Sequence, residues 1–243
     1  MRMNMVEHPQ KKRVVIKLSG SIFSLSNNNE QDNSEYYNTF KQYSDVLTNL
    51  TNKVQPIVIT GGGSIARLYI NFARKLGQDE ASLDLLGIAI SRINAKLLIA
   101  SLGNYAYPDV PQSLDDVGRF VESNKIIISG GLHPGQSTNA TSALIAEKTG
   151  ASEFINATDV NGIYDSDPRK NNNARLFEKI EINKLLKMLL KESSMAGEYN
   201  LLDIVALKVI ERSKIKTKVI LSSPTNIYNT IQGRNYIGTE LIL

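Results

Sequence analysis

Apolar and polar positions along this chain alternate in a way that predicts strands separated by helices. Residues 13–18 (RVVIKL) form a short apolar run expected as a buried strand, and the polar, asparagine-rich SNNNEQDNSE after it is expected as a loop. Helical periodicity follows over residues 36–50, then a strand at 57–60 and a helix at 64–76. Residues 82–101 carry apolar side chains around most of the helical circumference, which predicts a buried helix. A strand at 126–129, an alanine-rich helix at 138–149 and a strand at 154–157 continue the alternation. A turn-rich excursion over 158–175 precedes helices at 183–191 and 201–213, a strand TKVIL, and a last pairing segment GTELIL. Strands joined through helices require crossover connections, hence a mostly parallel sheet covered on both faces. Such sheets bind ligands at the carboxyl ends of their strands. The excursion is the natural divide between an N-terminal part, about 13–157, and a C-terminal part, about 158–243, of one domain.

Composition narrows this picture without changing it. With 243 residues, 42% hydrophobic and 21% charged, the chain has the make-up of an ordinary globular protein. The absence of cysteine excludes disulfides and thiolate metal sites. The reading finds no bilayer-spanning run and no apolar leader, so the expected location is cytoplasmic, with no membrane partner. The net charge of +4 is mild, its basic residues are scattered, and tryptophan is absent, which argues against a nucleic-acid surface. A small polyanionic substrate suits the same balance.

Three strand ends carry related chemistry. In VVIKLSGS, Lys17 stands near the exit of a buried strand, where it reads either as a rim lysine that snorkels or as a phosphate ligand; Gly20 and Ser21 follow it. In TGGGSIARLYI, three glycines precede a helix whose first turn bears Arg67; converging amides, a helix N-terminus and a guanidinium all favour a phosphate. The spacing is neither that of a Walker loop nor G-x-G-x-x-G. In IISGGLHPGQSTNATS, a strand again ends in glycines, Pro134-Gly135 turns the chain, and Ser137-Thr138-Asn139 can cap the next helix.

Taken in order, IKLSGS, TGGGSIARLYI, LDLLGI, GGLHPGQSTNA, TDVNGIYDSDP and LLDIVALKVIERSKIKT resemble the archaeal-type uridylate (UMP) kinases of the amino-acid-kinase superfamily, over nearly the whole chain. The resemblance implies a three-layer α/β/α sandwich with a central, mostly parallel sheet, and ATP and UMP as substrates. It implies that Lys17 neutralises the transferring phosphoryl group and that Asp203 organises the lysine and the phosphates. Gly20, Ser21, Gly63, Arg67, Thr158, Asp159, Tyr164 and Asp167 then fall on the ATP side. Gly62, Asp84, Leu132, His133, Pro134, Gly135, Gln136, Ser137 and Thr138 fall on the UMP side. Mg2+ is expected through the ATP phosphates, with no metal ligands from the protein, and a homo-oligomer, a hexamer by analogy.

Plainer readings stand beside these. Asp203 also reads as a helix-start residue, Tyr164 as a packing aromatic, and His133 as structural, since a nucleoside monophosphate is largely dianionic at neutral pH and needs no general base. The sequence departs from the family pattern at Leu132, Asn139 and Asn161. The alternative functions are isopentenyl phosphate kinase, whose relatives carry a histidine soon after the Gly-Gly-Gly-Ser run, and a non-catalytic nucleotide or anion binder.

Overall fold

In the computed structural model, residues 11–23, 30–192 and 201–243 are described. The expectations for the N-terminal stretch with His8, and for residues 26–29 of the asparagine-rich loop, lie outside them, while residues 30–35 of that loop instead begin a helix over Glu30–Leu50. Strands β1 (Lys12–Leu18), β2 (Val54–Thr60), β3 (Ile127–Ser129), β4 (Glu153–Thr158), β5 (Lys179–Glu181), β6 (Lys216–Leu221) and β7 (Gly238–Ile242) form one sheet in the order β3-β2-β1-β4-β6-β7-β5. The β6–β7 pairing is antiparallel and the others are parallel.

Helices cover both faces, as the parallel pairing requires. Val14, Ile16 and Leu18 of β1 enter one core with α1 (Glu30–Leu50), α3 (Glu80–Leu102) and α8 (Pro224–Gln232). Val15 points the other way, into a core with α4 (Leu114–Phe120), α5 (Thr138–Thr149), α6 (Ile182–Glu192) and α7 (Ile204–Ser213). That alternation is the two-residue period of a strand buried on both sides. Helix α2 (Gly63–Lys75) packs on α3. The architecture is the expected three-layer α/β/α sandwich with a mostly parallel sheet.

Several boundaries differ from the sequence reading. The second strand starts at Val54 and contains Pro56, which the expected range excluded. Pro56 is opposite Val14 on one side, while β3 begins pairing only at Ile57 on the other, so the missing N–H meets no ladder there. The third apolar run reaches the sheet as Ile127–Ser129, because Ile126 is taken by an isolated bridge to Ala106. Helix α3 starts earlier than read because Asp79 caps it, accepting from the Ser82 amide at 3.0 Å. Helices α4 and α8 and strand β5 have no counterpart in the sequence reading. The final strand is an interior one, lying between β6 and β5.

One further correction concerns the membrane. Residues Glu80–Tyr105 are long and apolar enough by length and composition to cross a bilayer, contrary to the sequence reading. The inner face of this helix, however, packs Ala95, Leu98 and Leu102 into the core and buries Ser91 and Asn94. A core helix satisfies the same test.

Candidate active site

The carboxyl ends of β1, β2, β3 and β4 point to one edge of the sheet, and the loops leaving them touch. Lys17 lies two residues after Val15 and shares its face, one residue before β1 ends. Burial lowers its amine from the ordinary 10.5 to about 8, with the negative charge of Asp159 opposing the drop. The register partners of Lys17 are Ile59 on β2 and Asn156 on β4. Beyond it, Gly20 comes so near the glycine triplet that a Cβ there would stand 2.9 Å from the Gly63 nitrogen and 3.0 Å from its Cα. Only glycine permits that approach, so the lysine loop and the glycine triplet form one continuous wall. Gly63 itself has φ +66°, and an added Cβ on Gly62 would collide with Ala66.

A recess of about 290 Å³ opens beside this wall. Gly62, Gly63, Arg67, Asp84, His133, Gln136, Ser137 and Thr138 line it, together with Ile70, Gly87, Ile88 and Ser91. Arg67 is exposed and makes no ion pair among the described residues, so its charge is available to a ligand. The Asp84 Oδ2 accepts from the Gly135 amide at 2.7 Å, which fixes the Pro134-Gly135 turn over the recess. Gly135 takes φ +74° at that turn. Leu132, Pro134 and Gly135 do not line the recess, and the Leu132 side chain packs in the core. This places Leu132 in the loop as a backbone element.

The first turns of α5 and α7 meet at the same edge. Ser137 caps α5 through the Ala140 amide at 2.9 Å and donates its hydroxyl to Asp203 Oδ2. Asp203 in turn caps α7, its Oδ1 accepting from the Ala206 amide at 2.9 Å. The helix-start reading of Asp203 therefore describes its geometry, and the same carboxylate reaches into the loop between β3 and α5. Two residues earlier, the Leu201 carbonyl accepts from Asn139 at 3.0 Å and from Asn156 at 2.7 Å. Both asparagine Oδ1 atoms are buried without a partner.

The residues expected around ATP beyond β4 are spread along the excursion. Thr158 is buried, its hydroxyl donating to the Val160 carbonyl at 3.0 Å, so it shapes the turn. Asp159 pairs with Arg169 at 3.5 Å, and Asp167 with the same arginine at 3.1 Å. That contact holds the Asp167 carboxyl below the usual carboxylate range. Tyr164 bridges Leu176 across the loop. Gly162 (φ +141°) seats the excursion on β7, where a Cβ would come 2.6 Å from Thr239 Oγ1. Ser21 lies on the short helical turn after β1, with its hydroxyl 2.9 Å from that of Ser19.

The structure thus draws Lys17, Gly20, Gly62, Gly63, Arg67, Asp84, His133, Gln136, Ser137, Thr138 and Asp203 to one edge, while Tyr164 and Asp167 stand within the excursion. The sequence reading missed Asn156, Arg92, Asn94 and Arg169. Asn156 alone had a legible signal, a polar residue in the apolar strand FINAT.

Residues 12–221 match the model of the amino acid kinase family. The chain is 40% identical over 233 residues to a uridylate kinase of Sulfolobus acidocaldarius, covering 95% of this chain and 99% of that one. It is 42% identical over 231 residues to a uridylate kinase of Methanoculleus marisnigri, covering 94% of each. Among solved structures it is similar to the uridylate kinase from Archaeoglobus fulgidus, with TM-score 0.81 and 35% identity over 94% of this chain and 99% of that one. The UMP kinase from Ureaplasma parvum shares the fold at TM-score 0.77, with 23% identity over 96% of this chain and 100% of that one.

Proposed function

The chain belongs to the amino acid kinase family, and from that premise we propose that it transfers the γ-phosphoryl group of ATP to UMP, giving UDP and ADP. The observation that carries this reading is the junction of Gly20 with Gly63: the loop of a partly buried lysine lies against a glycine loop that lines a recess bearing Arg67. Relatives about 40% identical over nearly their whole length bear the name uridylate kinase, which supports UMP as acceptor.

A UMP phosphate oxygen attacks the γ-phosphorus while the bond to the β-γ bridging oxygen breaks, and ADP leaves. The nucleophile is already anionic, so no side chain need take a proton. The work of the protein is positioning and charge stabilisation. Lys17 and the glycine-loop amides neutralise the equatorial oxygens, Gly63 and Arg67 meet the ATP phosphates, and the amides near Gly62 hold the acceptor phosphate. Asp203 fixes Ser137 and the start of α5. The N-terminal part, about 13–157, takes UMP, and the part from 158 to 243 takes ATP through Thr158, Asp159, Tyr164 and Asp167. Mg2+ brought in with the ATP phosphates would supply further charge neutralisation during transfer. Asp159, whose charge acts on the Lys17 amine and which lies 3.5 Å from Arg169, is the carboxylate that would meet a cation brought in with the phosphates.

The active form is a homo-oligomer, a hexamer by family analogy, working in the cytoplasm. Supporting this, α2 with its C-cap Leu76 and α3 expose Leu68, Tyr69, Phe72, Leu76, Leu85 and Ile93, of which Leu76 is 81% exposed. Exposed apolar side chains of that kind are covered by a further copy more readily than by water.

ADP release with UMP, CMP or isopentenyl phosphate as acceptor tests the assignment. UMP should be preferred. Stimulation by isopentenyl phosphate alone would make the chain an isoprenoid kinase, and no stimulation by any acceptor would make it a binder.

A further inference from the structure

Helix α3 places three polar anchors within four residues against the site, and they reach two different loops. Ser91 is buried, and its hydroxyl accepts from the Gly131 amide at 2.8 Å while donating to the Ile88 carbonyl at 2.7 Å. The Arg92 Nε donates to the Gly131 carbonyl at 3.1 Å, and its Nη2 reaches the Leu132 carbonyl at 3.5 Å. Asn94 is buried and donates to the Gly61 carbonyl at 2.8 Å. Ser91 and Arg92 therefore hold the loop after β3, and Asn94 holds the glycine triplet after β2.

Arg92 is the unusual member. It borders a cavity of about 620 Å³ that also contains Asp109 and Asp116. Yet it forms no ion pair among the described residues, and Asp116 is engaged by Arg119. A guanidinium with carboxylates in the same cavity but bonded to successive main-chain carbonyls is serving the loop's geometry. The consequence follows from peptide planarity. In a trans peptide C=O and N–H point in opposite directions, and the described residues contain no cis bond. Fixing the carbonyls of Gly131 and Leu132 toward Arg92 turns the amides of Leu132 and His133 away from it. Gly131 and His133 line the recess, whereas Arg92 does not. The glycines are required for this: a Cβ at Gly130 would stand 2.7 Å from Ser91 Oγ, and one at Gly131 would stand 2.9 Å from Ile88.

We propose that Arg92 is a positioning residue for the acceptor loop, setting the direction of its backbone amides, while Asn94 performs the separate task of holding the glycine triplet. The inference rests on the UMP-binding reading for its kinetic outcome but not for its structural one.

The test compares Arg92→Met, Arg92→Lys and Asn94→Ala with the wild-type chain, by amide hydrogen exchange and by steady-state kinetics. In Arg92→Met, peptides covering 130–136 should exchange about tenfold faster, those covering 61–63 should be unchanged, and the KM for UMP should rise about tenfold with kcat and the KM for ATP within about twofold. Arg92→Lys should recover part of both effects, since it restores one donor. Asn94→Ala should loosen 61–63 and leave 130–136 protected. Unchanged exchange at 130–136 in Arg92→Met overturns the proposal, and so does equal loosening of both loops in either variant, which would mean a general loss of α3 packing. If the wild-type chain does not phosphorylate UMP, the functional reading fails while the exchange data still decide the role of Arg92.

Discussion

Replacing Lys17 with methionine should make the protein more stable and far less active at once. Burial holds the Lys17 amine near 8 instead of the ordinary 10.5. At about 1.4 kcal/mol per pH unit, that gap corresponds to about 3 kcal/mol of folding free energy. The sign follows from the direction of the change. The folded chain holds this proton less tightly than the unfolded chain, so at neutral pH, where both forms are charged, the whole penalty is present. As pH rises from about 8 to about 10.5 the folded lysine is neutral while the unfolded one is still charged, and wild-type stability increases until the penalty is gone. Methionine carries no charge and never incurs it. Lys17→Met should therefore exceed the wild type by about 3 kcal/mol near neutral pH, roughly 6–12 °C in Tm for a domain of this size, and lose the advantage above about pH 10.5. Urea unfolding of both chains at about pH 7 and about pH 10 measures the difference directly. Turnover should fall by about 10²–10³ because a charge that meets the transferring phosphoryl group is gone. An advantage that does not change with pH, or a variant less stable than wild type at neutral pH, would show that the lysine is not buried at a cost. Undiminished turnover would remove it from the mechanism.

Gly20→Ala should lower stability by about 1–3 kcal/mol, because its Cβ meets the backbone of Gly63 and no flexible side chain can yield. By displacing the lysine loop from the glycine triplet it should also reduce turnover by about 10²-fold, as turnover of the purified variant below its melting range would report. Asp203→Ala should cost about 1 kcal/mol through loss of the α7 cap, while Asp203→Asn should keep the cap and lose activity. Equal stability of the two variants in urea unfolding would contradict the capping role.

The alternation of strands and helices was legible because parallel strands buried on both faces must be apolar throughout, as VVI in β1 and IVI in β2 are. Helix α8 escaped notice although Ser223, Pro224 and Gly233 mark its ends, because its apolar stripe consists of few residues among polar ones. Strand β5 spans three residues and has no pattern to detect. In the site, glycine loops and Lys17 were visible as residue types out of place in their surroundings. Arg92 and Asn94 were not, since on a helix read as apolar all round a polar residue signals nothing until the loop it holds is known. The sheet runs across the divide expected at 158–175, through the β4–β6 pairing.

The helix cap formed by Asp203 and the phosphate-organising role proposed for it would use one arrangement. By capping α7 and accepting from Ser137, the carboxylate locks the starts of α5 and α7 to each other, and Leu201 adds two asparagine contacts to the same joint. Helix N-termini hold anions only as well as they are themselves held, because a dipole free to swing loses its advantage over water. The joint leaves Oδ1 of Asn156 buried without a donor, opposite Lys17 in the strand register. A buried acceptor left unpaired costs about 1–3 kcal/mol, and a buried ammonium has its own penalty. Both deficits sit at the expected place of phosphoryl transfer. A polyphosphate arriving there would give the lysine a second anionic partner beside Asp159, and so bind with part of the energy that desolvating the amine costs.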